Sequence, residues 1–170
     1  MPEDLQSLLP DNLALETDNP LWHFSLWFWH QPGMEKLSLH LQSQGVSVTR
    51  LLCALWLAAQ SCRYSDDPPQ VRQWRATVTE PLRLTRRRLP KLEGQILDLR
   101  RKVAESELQA EQIELALAFR FLPLDDAGQS PASTLKSNLR CAGILDFLSD
   151  QELSRLSDVL GPVTASDDTD

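Results

Sequence analysis

The sequence predicts an all-α chain, a single-domain helical bundle of about six or seven helices with a long heptad-patterned helix. Three observations predict it. Residues 46–62, VSVTRLLCALWLAAQSC, are apolar on nearly every side, which marks a helix buried by others rather than a surface helix with one apolar stripe. Leu92, Ile96, Leu99, Val103, Ser106, Ala110, Ile113 and Leu117 alternate steps of four and three, a sustained heptad seam. No segment carries the period-two alternation of a strand.

The chain divides by composition into five stretches. Residues 1–18 are an acidic N-terminal arm, polar and interrupted by Pro2 and Pro10, expected to be mostly irregular. Residues 19–122 form the helical core domain. Asp18 and Asn19 offer an N-cap and Pro20 suits the first turn of an aromatic helix, LWHFSLWFWHQ, that stops before Pro32-Gly33. Its aromatic density is a large apolar payload, read as core packing against the central helix or as a partly exposed face, with Trp22 and Trp29, that receives a partner. Pro32 is expected to open a second helix, PGMEKLSLHLQSQ, with Met34, Leu37 and Leu41 inward and Gly45 as a left-handed C-cap. Ser47 or Thr49 then caps the central helix.

From Pro69 the character changes. Val71, Trp74, Val78, Leu82, Thr85 and Leu89 make a helical stripe, which Pro81 must bend or end. Pro90 interrupts again, and the heptad seam follows. If helical from Lys91 to Leu122 it would be about 48 Å long at the α-helical rise. It is read either as half of an intramolecular hairpin with the preceding segment or as a homodimer seam over Leu92–Leu117. Residues 123–131 are a linker by composition. Residues 132–161 hold short C-terminal helices, the second capped at Ser149 or Asp150 with Glu152 in its first turn and a Leu153, Leu156, Leu160 stripe. Residues 162–170 are expected to be a disordered acidic tail. The central helix is expected to be wrapped by the aromatic helix, its neighbour and the long hairpin, with the C-terminal helices packed on this body or mobile.

Charge is unevenly spread. The chain carries −7 overall, which disfavours non-specific adhesion to nucleic acid or an anionic membrane. Yet residues 71–102 hold ten Lys and Arg against three acids, leaving seven cations against twenty-one acids elsewhere. Arginine dominates, and its planar fork suits carboxylate or phosphate. Arg75, Arg83, Arg86, Arg87 and Arg88 are the candidate partner-binding residues, with Trp22 and Trp29. Arg83 and Arg87 lie four apart on one helical face. The competing reading is that these arginines pair with the acidic arm, tail and loops of the same chain.

Chemistry is harder to find. The sequence has no Gly-rich phosphate loop, HExxH or GxSxG, so no catalytic, cofactor or metal-ligating residue is named. His23 and His30 are seven apart, with His40 on the next helix, a weak metal pattern. Cys53 is a small core residue. Cys62 precedes Arg63, which could lower its pKa, but no other part of a catalytic set accompanies it. Three cysteines without a CxxC pair point to a reducing cytoplasm. No basic, apolar leader is visible, and the apolar runs fall short of the roughly 20 residues of a membrane span.

Several segments together resemble a known family: LWHFSLWFWHQPGMEKLSLHLQSQGVSVTRLLCALWLAA, then WRATVTEPLRLTRRRL, then AESELQAEQIELAL. Residues 19–117 are similar to a family of small uncharacterised proteobacterial proteins, carried as a domain of unknown function. The resemblance implies an all-helical bacterial cytoplasmic protein and supplies no activity. Pro90, directly after the arginine cluster, departs from the family pattern. The expectation is a non-enzymatic protein–protein interaction or regulatory module that docks an acidic partner through the arginine-rich helix and aromatic surface. The alternatives are an RNA- or DNA-associated protein using the same arginines on phosphates, and an enzyme with an interhelical pocket near His23, His30 and Cys53.

Overall fold

The computed structural model describes residues 4–164. In chain order the helices are α1 (Leu5–Leu8), α2 (Pro20–Trp29), α3 (Met34–Ser43), α4 (Val48–Ala59), α5 (Pro69–Trp74), α6 (Glu80–Arg88), α7 (Gln95–Phe121), α8 (Pro131–Cys141) and α9 (Asp150–Thr164). A π-helical turn, Arg75–Thr79, joins α5 to α6, and a 3-10 turn, Leu145–Phe147, precedes α9. Among the described residues no strand is present, and the all-α expectation holds. The chain falls into two compact units, one of residues up to Trp22 with Asp67–Leu122, the other of His23–Asp66 with the chain from Pro123 onward.

Local signals place the helix ends. Asn19 accepts a hydrogen bond from the Trp22 amide at 2.9 Å and caps α2. Ser47 caps α4 through the Arg50 amide. Gly45, at φ +91°, closes α3: its amide bonds the Gln42 carbonyl and the Val46 amide the Leu41 carbonyl, the paired bonds of a Schellman motif. Ser149 and Glu152 form a reciprocal capping box at α9.

In the second unit α4 is the core. Every residue from Leu51 to Ala59 is buried, and each fully buried leucine contributes about 1.5–3 kcal/mol of hydrophobic stabilisation. Its chief neighbour in this unit is α8, with α3 and α9 beside it. Asn138 of α8, wholly buried, donates to the carbonyls of Ala54 and Cys62 and accepts from the Tyr64 amide. The segment expected to be a plain linker, residues 123–131, is tied back by an isolated antiparallel bridge, Cys62 with Asp126, and by a 2.7 Å bond from the Arg63 amide to the Asp125 carbonyl. The helices after it are therefore part of the α4 core and not an appendage.

Other expectations shift at their edges. The arm contains α1, capped by Asp4. The second helix begins at Met34, because Gly33 at φ +81° turns the chain in left-handed geometry before it. The long helix runs Gln95–Phe121, not from Lys91, because Gly94 at φ +88° is its non-helical cap. Residues 162–164 of the expected tail belong to α9, and 165–170 lie outside the described residues.

Candidate functional site: the arginine-rich hairpin

In the first unit, α5, the π turn and α6 run against α7. Pro68 and Pro69 start α5. Pro81 neither ends nor breaks the helix. A proline lacks an amide donor and its ring clashes with the carbonyl four residues back, here Thr77. The wider π register absorbs this: the Glu80 amide bonds the Arg75 carbonyl, five residues back. At the turn between α6 and α7, Arg100 reaches back to the carbonyls of Arg86 and, at 3.0 Å, Leu89, covering the carbonyls left open at the C-terminus of α6.

The surfaces that meet are polar. Arg75 bonds Glu114 at 2.7 Å and Asp67 at 2.5 Å. Arg83 bonds Glu107 at 3.0 Å, Glu80 at 2.5 Å, and Glu111. Arg86 also bonds Glu107. The indole of Trp74 donates to the Ala110 carbonyl at 3.0 Å. Glu114 is fully buried, and Arg83, Asp67 and Glu107 are 4 %, 4 % and 6 % exposed. Burial alone would lower the pKa of Arg75, but Glu114 and Asp67 outweigh it and hold the guanidinium above its ordinary value. Arg83 is held up in the same way, chiefly by Glu111 and Glu80. Burial pushes the Glu111 carboxyl above the usual carboxylate range, against the pull of Arg83.

The candidate arginines thus separate. Arg75, Arg83 and Arg86 bind carboxylates of their own chain, the arrangement that the competing reading of intrachain pairing describes. Their partners are Glu80 of α6, the glutamates of α7 and Asp67 in the loop before α5, so of the arm, tail and loops expected to supply the acids the loops do so at Asp67. Arg87 and Arg88 are exposed. Although Arg83 and Arg87 are four apart, the carboxylate row of α7 facing α6 ends at Glu107, and nearer the turn α7 offers Arg100 instead. Trp22 and Trp29 are half-buried and fall in different units.

The seam separates too. Ala110 and Leu117 are buried, whereas Leu92, Ile96 and Leu99 are 56 %, 40 % and 51 % exposed and Leu84 of α6 is 48 % exposed. The hairpin reading of the seam describes α6 and α7 within the chain. The apolar residues near the turn are left outward, on the same hairpin end as Arg87, Arg88 and Lys91. What the sequence reading missed was Glu107, Glu111 and Glu114 as the arginines' partners. A signal existed: Glu107, Glu111 and Glu114 lie four and three apart on one side of Pro90, and Arg83 and Arg86 three apart on the other.

The remaining candidates stand apart. His30 bonds the Leu26 carbonyl through Nδ1, and His40 bonds Gln44. Cys53 is buried. The Cys62 thiol is raised, not lowered: partial burial pushes it up and Asp126 and Asp125 add to this, while Arg63 turns to the Asp126 carbonyl. Among the described residues no helix is long and apolar enough to cross a membrane.

The model of the DUF2390 family, described as a protein of unknown function, matches residues 20–117. The chain belongs to that family. No curated protein and no solved structure matches it. The DUF2390 match contains every rung of the arginine–glutamate ladder and the whole exposed hairpin end, and stops before α8.

Proposed function

We propose that this DUF2390 protein is a non-enzymatic interaction module of the bacterial cytoplasm that docks another protein on the free end of the α6–α7 hairpin. One observation carries the reading. The same short stretch that exposes Leu84, Leu92, Ile96 and Leu99 also exposes Arg87, Arg88 and Lys91. Apolar anchors with arginine beside them are the raw material of interface hot spots. The arginines deeper in the hairpin serve as its frame, holding α6 and α7 in one antiparallel register so that the end is presented as a rigid surface.

The test is site-directed photo-cross-linking in the native cell, with the photoreactive residue at Leu99, at Arg88, and at Gln129 of the second unit as a control. The expected result is a discrete protein adduct at Leu99 and Arg88, absent at Gln129 and unchanged by nuclease. Adducts that vanish with nuclease would replace this reading with the phosphate-binding one. Equal labelling at all three positions would refute a specific surface.

A further inference from the structure

Resting on that reading, we infer that the occupant of the hairpin end is an acidic amphipathic helix, laid along the outward stripe of α7. The stripe has the spacing such a partner requires. Within α7, Ile96, Leu99 and Val103 step by three and four, the repeat that lets one helix seat its apolar residues between those of another, and Leu92 stands exposed in the turn just before the Gly94 cap. Ile96 and Leu99 are 40 % and 51 % exposed, and Val103 is half-buried. The stripe does not stop because the helix stops. It runs on into the buried residues Ala110 and Leu117 of the same seam, so the exposed part is an interhelical packing surface lacking its second helix over roughly its first three turns.

Charge selects the occupant. Residues 84–103 carry seven Lys and Arg against two acids. Of these cations only Arg86 is spent on a buried carboxylate and Arg100 on the α6 carbonyls, while Arg101 pairs locally with Asp98 at the surface. Arg87, Arg88, Lys91 and Lys102 are exposed. A second copy of this chain, seated by the same patch, would set cations against cations, which costs affinity and misdirects the encounter. A helix with Leu or Ile on one face and Asp or Glu on its flanks meets both the apolar stripe and the cations. A partner of this kind gains most of its specificity from the charged rim and its affinity from the apolar centre.

The experiment selects peptides from a random library against the immobilised full-length chain, then measures the enriched peptides by fluorescence anisotropy and circular dichroism. Full-length chain with Ile96→Ser and Leu99→Ser is the comparison; both positions are exposed, so its helicity and melting temperature are expected to match the unaltered protein. The expected winners carry apolar residues three and four apart flanked by Asp and Glu and become helical when bound. They lose about tenfold or more in affinity for the double variant and weaken as salt is raised. The inference is overturned if the winners are basic, uncharged or extended, or bind the double variant equally well. It is likewise overturned if phosphatidylserine vesicles or poly(U) RNA bind the chain in an Ile96- and Leu99-dependent way, or if sedimentation shows a dimer that the double variant dissolves. Its failure is separable from that of the docking reading: a protein cross-linked at Leu99, with winners of another chemistry, rejects only the acidic helix.

Discussion

The two halves of α7 carry one heptad spacing and are used differently. From Glu107 to Ala118 the helix buries Glu107, Ala110, Glu114, Leu115, Ala116, Leu117 and Ala118. Before Glu107 the same seam leaves Ile96 and Leu99 about half exposed. The buried half faces Arg75 and Arg83, which were expected to be surface residues, and the exposed half carries the leucine and isoleucine expected to be core. Apolar spacing defines a face, but it does not say what covers that face. Here α6 is short, ending at Arg88, and its contribution to the contact is arginine, so the covered half is the one that can supply carboxylates.

The comparison breaks most visibly at the ladder. Glu107→Ala takes the carboxylate from Arg86 and leaves Arg83 with Glu80 and Glu111 beside a buried void, and removing one partner of a buried pair costs about 3–5 kcal/mol; urea unfolding followed by tryptophan fluorescence reads the loss. If the variant unfolded at the wild-type urea concentration, the ladder would be ornamental. Replacing Arg83, Arg86, Glu107 and Glu111 together by Met, Met, Leu and Leu is expected to recover most of that stability, because no buried charge is left without its partner and Glu80, released by Arg83, is half exposed.

Next in size is a matched pair of truncations. Leu117→Ala in the buried half is expected to cost about 2–5 kcal/mol, and Leu99→Ala in the exposed half less than about 0.5 kcal/mol. Similar values from denaturant melts of the two variants would erase the distinction between the halves.

Glu111 gives a pH-dependent version of the same contrast. Its folded carboxyl titrates above the ordinary 4.5 because of burial. A carboxyl raised on folding contributes stability at low pH that is lost as pH rises through its folded value. Glu111→Gln removes this contribution, so the wild type should fall relative to the variant as pH climbs from 4.5 toward neutrality. A constant difference in urea midpoint across that range would contradict it. The smallest effect is at α9. The Ser149 backbone and hydroxyl hold Glu152 below its usual pKa, and Ser149→Ala is expected to cost about 1 kcal/mol, read by thermal melting, without touching either half of α7.

Much of the fold was legible because its causes are local. Asn19, Gly45, Ser47 and Ser149 act on amides or carbonyls within three or four residues, and α4 announces its burial by having no polar side. Pro81 was legible only as a disturbance, since whether a helix breaks or widens into a π turn depends on what the next element holds in place. The pairing of Arg75 with Glu114 and of Arg83 with Glu107 spans 39 and 24 residues. Asn138 reaches back 84 residues to Ala54.

By itself the sequence determined that this chain is helical, where most helices begin and end, and that a cationic stretch lies beside a heptad seam, because periodicity and capping are properties of neighbouring residues. Only the tertiary structure decided which arginines are frame and which are surface, which half of the seam is covered, and that α8 completes the α4 core. Those outcomes depend on which distant side chain arrives opposite, and a buried charge is tolerated only where its partner does.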